Sequence, residues 1–328
     1  MKAKRSPFAL FAAGTLVYSI LVILWGAYVR ATGSGAGCGE HWPLCNGTIL
    51  QRSPRLETLI ELSHRLSSGF SLVLVVGLVV WAFRAFPKGH AVRQGAVLSL
   101  VLLLVEAALG AGLVLLKLVA KDASALRAVS VGLHLANTFL LLMALTYVAW
   151  SALLGTGERF RIRAERRRTA LIGAGLVLLA TVGISGAIVA LGDTLFPAAT
   201  LAEGLREDLS PTAHFLVRLR FVHPVLAVST ALLLWYAAVD IQGRDARPVT
   251  AKLSRLLIAL VVTQISLGVL NMGLLAPVWL QLVHLGVADL TWVTLVTLGL
   301  YTLPLPGRDG GVLAASPSSA TSRAMNAR

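Results

Sequence analysis

Residues 59–81 read LIELSHRLSSGFSLVLVVGLVVW. From Phe70 to Trp81 the run carries no charge, yet Glu61, His64 and Arg65 stand at its start. A helix needs about 20 predominantly apolar residues to cross a bilayer core, and this segment supplies them. Ionisable groups in such a segment cost free energy and are kept for a purpose. Glu61 and His64 are three residues apart, so on a helix they share a face. The stretch therefore points to a fold of membrane-spanning helices, with chemistry near the end of at least one of them.

The rest of the chain agrees. Of its 328 residues 56% are hydrophobic and 13% charged, against about 25% charged in an ordinary soluble domain. The apolar runs are too long for barrel strands. Eight spans are expected, near 8–30, 58–83, 94–116, 128–153, 169–191, 215–240, 254–275 and 278–303. The first, from Phe8 to Val29, is too long for a cleavable leader and has no small-residue cleavage site after it.

The formal charge of +14 would suit nucleic acid in a soluble protein. Here most Lys and Arg fall in alternate loops, including the run RFRIRAERRR at 159–168. There is no P-loop, zinc-finger spacing or aromatic-interleaved basic patch. Topology accounts for the charge, no nucleic-acid partner is expected, and membrane lipid is the surrounding phase. By the positive-inside rule both termini are cytoplasmic and the protein is multi-pass in the cell membrane. Residues 304–328 read as a disordered cytoplasmic tail.

The chain repeats itself. GAYV at 26–29 recurs as GAIV at 186–189, EAALG at 106–110 as QISLG at 264–268, and GLHLANTFLLL at 132–142 is echoed by LVHLGVADLTW at 282–292. Each half holds four spans, an even number, so the halves are parallel repeats about an axis along the membrane normal. The expected fold is an all-α integral membrane protein whose eight transmembrane helices form two parallel-repeat four-helix bundles. An N-terminal half (1–153, with an outer loop at 31–57) is joined by a basic linker (154–168) to a C-terminal half (169–303).

Four of the seven histidines, His64, His134, His223 and His284, fall one in each even-numbered span. Each lies about five to nine residues past its helix start, which at about 1.5 Å per residue puts all four at one depth near the outer side. Two pairs of imidazoles, one per half, suit axial ligation of two haem irons inside bundles. Interhelical hydrogen bonding and another metal are the other readings, and zinc would want three or four ligands at one ion. His41, His90 and His214 are given no ligand role. Small residues beside the four (Ser67, Ser68, Gly69, Gly132, Ala136, Gly286, Ala288) serve either close helix packing or a flat macrocycle. Glu106, Gln264, Asn137, Asn271 and Asp289 read as interhelical hydrogen-bonding groups, with a water or proton path as the alternative.

Cys38 and Cys45 are the only cysteines. They lie in the first outer loop, on the oxidising side, where disulfides persist. A structural staple, a redox-exchanging pair and metal binding are the readings of the pair.

At these residues the sequence resembles the haem A synthases, of the bacterial type with a cysteine pair in the first outer loop. The likeness is carried by ATGSGAGCGEHWPLCNG at 31–47, ELSHR at 61–65, HLANTFLLL at 134–142, RFVHP at 220–224 and QLVHLGVADLTW at 281–292. The resemblance implies an oxidoreductase that converts haem O to haem A for cytochrome oxidases, by successive hydroxylation of one ring methyl and loss of water. It implies that His64 and His134 hold haem O and its product haem A, that His223 and His284 hold a resident haem b, and that Glu61 is the acid beside the first histidine. Haem O synthase and oxidase assembly factors are the implied partners, beside an electron acceptor of unknown identity.

The second half carries Arg220 where the first carries Glu61. A guanidinium suits a haem propionate, and a carboxylate suits proton transfer at a ring substituent, so Glu61 is the expected catalytic residue and Arg220 a cofactor anchor. The rival readings are a di-haem cytochrome b-type electron-transfer subunit and a repeat-built transporter.

Overall fold

The computed structural model describes residues 6–48, 53–155, 162 and 165–304. Of the expected tail at 304–328, residues 305–328 lie outside the described residues, as do residues 156–161 and 163–164 of the basic linker at 154–168. Helices α1 (Pro7–Ala31), α2 (Leu56–Ala85), α3 (Ala91–Leu115), α4 (Ala125–Leu154) and α5 (Arg166–Leu195) are followed by short α6 (Leu201–Asp208). Then α7 (Phe215–Arg218), a 3₁₀ turn (Leu219–Phe221) and α8 (Val222–Arg244) run on as one rod, before α9 (Pro248–Gly273) and α10 (Val278–Thr302). Eight of these helical rods are long and apolar enough to cross a membrane, and no strand occurs among the described residues. Seven of the eight begin and end within a few residues of the expected spans. The exception begins six residues early, where Pro248 takes a first-turn position that needs no N–H.

Local chemistry explains the ends. Ser6 caps α1 by accepting from Ala9 N, and Ser124 caps α4 by accepting from Arg127 N. Two histidines set aside as non-ligands are also caps: His90 Nδ1 accepts from Val92 N at α3, and His214 Nδ1 from Leu216 N at α7. The 3₁₀ turn before α8 has a cause in Pro224, which cannot donate to the carbonyl of residue 220 and crowds it.

In each half the four rods close a ring. In the first, α1 packs on α2, α2 on α3, α3 on α4, and α4 back on α1. In the second, α5 packs on α8, α8 on α9, α9 on α10, and α10 back on α5. The halves meet through α4 against α5 and α10, and through α1 against α10 and α5. Under the 160-residue repeat Arg30 is the counterpart of Ala190, and Arg30 Nη1 donates to Ala190 O at 2.7 Å. Counterparts that touch must lie beside the axis relating the halves, so this contact marks it at the loop end of the bundle.

The seam between halves is packed. Phe139 and Trp292 stack with ring centroids 4.7 Å apart, and Trp292 Nε1 donates to Phe139 O at 2.8 Å. Both belong to a core that also holds Leu142 from the first half and Ile172, Leu234 and Leu295 from the second. The halves share one core, so each ring of helices is braced by the other. Asp289, 0% exposed, has no hydrogen-bond partner on either oxygen among the described residues, which corrects the expectation of an interhelical bond there.

Candidate functional site

The four histidines fall where the helical register puts them: His64 on α2, His134 on α4, His223 on the α7–α8 rod and His284 on α10. Each is six to nine residues past the first residue of its rod, so all four sit at one level near the loop end. His64 and His134 lie within each other's electrostatic reach, as do His223 and His284. The pairing is thus within halves, as the repeat predicts.

Each imidazole faces a glycine on the preceding rod. An added Cβ on Gly26 would sit 2.9 Å from His64 Cε1, and on Gly186 3.0 Å from His223 Cε1. On Gly110 it would sit 3.8 Å from His134 Nε2, and on Gly268 3.5 Å from His284 Cε1. Gly26 corresponds to Gly186 and Gly110 to Gly268 under the repeat. The small residues expected beside the rings lie on the histidines' own helices; these four glycines were not among them, and their signal was in the GAYV/GAIV and EAALG/QISLG repeats.

Neighbouring bonds hold the rods around the rings. Tyr18 Oη donates to Ser67 O at 3.1 Å and Trp25 Nε1 to Ser63 Oγ at 3.0 Å, pinning α1 to α2 on both sides of His64. Ser185 Oγ lies 2.9 Å from His223 Nδ1, and Gln264 Nε2 lies 3.1 Å from His284 Nε2. Glu106 Oε1 lies 3.1 Å from His134 Nδ1, though not aligned as a hydrogen bond. Buried ring nitrogens without a hydrogen bond are His64 Nδ1, His134 Nδ1 and His284 Nδ1. Buried polar atoms are ordinarily satisfied, so these unpartnered ring nitrogens, on imidazoles seated close against glycines, suit side chains that would ligate a metal-centred macrocycle.

Glu61 is buried at 4% exposure and is not a surface carboxylate. Its Oε1 accepts from Arg65 Nη2 at 2.5 Å and its Oε2 from Cys38 N at 2.8 Å. Cys38 and Cys45 are bonded to each other. Arg65 also donates to His41 O and Leu44 O, both at 2.7 Å. Gly37 makes the loop's close approach to α2: a Cβ there would lie 2.3 Å from Glu57 O, and Gly37 O accepts from Thr58 Oγ1 at 2.7 Å. The disulfide loop is thereby seated on the first turns of α2, directly against the carboxylate one turn before His64.

In the second half Arg220 pairs with Asp193 at 2.8 Å and with Asp208 at 3.7 Å. It also donates to Gly192 O at 3.0 Å and Phe196 O at 2.5 Å. Asp193 and Asp208 were not foreseen as its partners. Burial holds the Asp208 carboxyl above its ordinary value, against the pull of Arg220. Asp208 closes α6, which no span expectation included. Its signal was the Thr200-Leu-Ala-Glu203 capping box, where Thr200 Oγ1 accepts from Glu203 N at 3.2 Å. Arg30 completes the cluster at this end of the bundle, donating to Thr194 Oγ1 at 3.2 Å and Gln281 Oε1 at 3.0 Å.

Residues 9–296 match the model of the COX15-CtaA family, described as cytochrome oxidase assembly protein. The chain belongs to this family. It is 46% identical over 280 residues to a Thermus thermophilus protein named protoheme IX farnesyltransferase, covering 85% of this chain and 46% of that one. It is 32% identical over 191 residues to a heme A synthase of an Exiguobacterium species, 58% of this chain and 60% of that one. It is 29% identical over 251 residues to the heme A synthase of Exiguobacterium sibiricum, 75% and 79% respectively. The chain thus spans less than half of the Thermus relative and somewhat under two thirds of the first Exiguobacterium one.

Proposed function

We propose that this chain is a haem A synthase, an oxidoreductase that turns a ring methyl of haem O into a formyl group. The observation that carries the reading is the set of four imidazoles, paired within halves and each facing a glycine, in a chain of a cytochrome oxidase assembly family. Relatives named heme A synthase support it. The prenyl transfer named for the Thermus protein is not carried over. This chain matches under half of that protein, and its aspartates stand singly along the sequence, whereas a magnesium-bound diphosphate is usually held through carboxylates. That name instead supports haem O synthase as a working partner, beside oxidase assembly factors.

His64 and His134 would hold the substrate haem, and His223 and His284 a resident haem b. Bound haem supplies the redox chemistry that takes the methyl through hydroxylation and loss of water. The chain's own residues position and move protons. Ser185 fixes the His223 ring through Nδ1, leaving Nε2 to ligate. Glu61 Oε1 takes both Nε and Nη2 of Arg65, whereas Oε2 takes only the Cys38 N–H and keeps a lone-pair direction with which to accept a proton from water or from a hydroxylated substituent. Arg65 and the Cys38 N–H hold that carboxylate in place. Arg220 would hold a propionate of the resident haem through Nη1, which stands 3.7 Å from Asp208, its Nε and Nη2 being taken by Asp193, Gly192 O and Phe196 O.

The termini are cytoplasmic and both haem sites lie toward the outer face, with the disulfide loop above the substrate. The test is pigment analysis of the purified protein from cells that make haem O. Haem A or a hydroxylated intermediate beside haem B is the expected result. Haem B alone would overturn the synthase and favour the electron-transfer subunit.

A further inference from the structure

The two histidine pairs differ in one respect that the repeat makes visible. Glu106 on α3 and Gln264 on α9 are counterparts, and each reaches the histidine of the next rod, Glu106 at His134 Nδ1 and Gln264 at His284 Nε2, which leaves the other nitrogen of each ring to ligate. Glu106 is clamped there. Asn137 Nδ2 donates to its Oε2 at 2.5 Å, Thr138 Oγ1 donates to its Oε1, and Asn137 also donates to Leu102 O at 2.9 Å. Residues 134, 137 and 138 form one face of α4, so a single helix face presents the imidazole and both donors that orient the carboxylate toward it. In the second half the counterparts of Asn137 and Thr138 are Val287 and Ala288, neither with a side-chain donor. Gln264 therefore meets His284 alone, and its Oε1 has no partner. An amide flip would bring that oxygen to the ring, still as a neutral acceptor.

We propose that Glu106 is a positioning residue for the first half's haem ligand: its clamped carboxylate, 3.1 Å from His134 Nδ1, takes that N–H once the ring is turned to ligate and makes the imidazole the stronger electron donor, whereas Gln264 leaves His284 the weaker one. The inference rests on the haem reading above. A metal-bound imidazole whose distal nitrogen faces a carboxylate has its tautomer and orientation fixed and its basicity raised. Axial-ligand donation and hydrogen bonding are levers on haem potential, and a stronger donor stabilises the oxidised iron. The first half's haem is thus set to a lower potential than its own pocket would give with a neutral partner. A carboxylate serving helix packing alone would change stability and leave the potential unmoved.

Redox titration of the purified full-length chain tests this, with the two haems assigned by single replacement of His134 and of His284. Glu106→Gln should raise the potential of the first half's haem and leave the other unchanged, and Glu106→Asp should restore part of the shift. Gln264→Glu should lower the potential of the second half's haem alone. Unmoved potentials in haem-loaded Glu106→Gln, or equal shifts in both haems, overturn the proposal and leave the haem reading intact. If Glu106→Gln does not fold, an unmoved second haem in Gln264→Glu overturns it by itself. A wild-type chain that carries no haem overturns the haem reading and this proposal together.

Discussion

Replacing Gly26 by alanine puts a methyl 2.9 Å from Cε1 and 3.1 Å from Nε2 of His64. Real Cβ contacts do not come so close, so the ring or the helix must move by a few tenths of an ångström. Two opposing terms set the stability change. Alanine in a helix interior gains about 1 kcal/mol over glycine, and forcing a methyl into a packed site costs about 1–3 kcal/mol. Gly26→Ala therefore comes out between neutral and about 2 kcal/mol destabilising, and in either case the imidazole is displaced. Gly186→Ala is slightly milder, with one contact at 3.0 Å and the next at 3.5 Å. At Gly268 the nearest atom is 3.5 Å away and at Gly110 3.8 Å, ordinary contact distances. Those two variants keep the helix gain and become more stable by up to about 1 kcal/mol. The assay is haem content per protein together with thermal unfolding, for the four purified variants side by side. Haem loss should be greatest for Gly26→Ala, then Gly186→Ala, with little for Gly268→Ala and Gly110→Ala. Equal loss from Gly26→Ala and Gly110→Ala, or full haem content in all four, would refute the view that these glycines set the rings against the rods.

Glu61→Gln keeps an acceptor for Cys38 N, and the loop stays seated through the Arg65 bonds to His41 O and Leu44 O. Both haem sites should fill while haem A formation collapses and haem O or a hydroxylated intermediate accumulates; near-normal haem A output sinks the catalytic role. Cys38→Ala with Cys45→Ala opens a short ring, and the chain-entropy estimate for a ring of that size is about 2.5 kcal/mol. As a staple, the pair should cost stability and leave most turnover, so an inactive but stable and haem-loaded double variant would argue for redox exchange. At the opposite end of the bundle, Arg247 hydrogen-bonds Asp245 and holds its carboxyl at about 2, below the ordinary 3.8. A depressed carboxyl stabilises the folded state above its unfolded value and loses that contribution as pH falls through the folded one. Hydrogen-exchange protection of the α8–α9 turn should therefore hold at pH 5 and fade between about pH 4 and 2; a turn equally protected across that window would contradict the pairing.

Much of this protein is settled by pattern along the chain. A long uncharged run such as Phe70–Trp81 can satisfy its backbone in lipid only as a helix, so eight such runs dictate the eight spans. Repetition at a nearly constant offset fixed which helices correspond, and the helical rise of about 1.5 Å per residue brought His64, His134, His223 and His284 to one level. What the chain order could not show was who meets whom across helices. Glu61 reads as a helix-end acid, yet the disulfide loop folds down and buries it against Cys38 N. Arg220 reads as an anchor for a cofactor carboxylate, yet it is taken up by Asp193 and by Asp208, which arrives on a short helix from the intervening loop. Glu106 and Gln264 could be paired as counterparts from the repeat alone. That one is clamped by Asn137 and Thr138 while the other meets its histidine unaided appears only once α3 lies on α4 and α9 on α10. The physical reason is range: hydropathy and helical period act within one segment, whereas hydrogen bonds and ion pairs between side chains far apart in sequence depend on the rotation and height at which the packed helices finally stand.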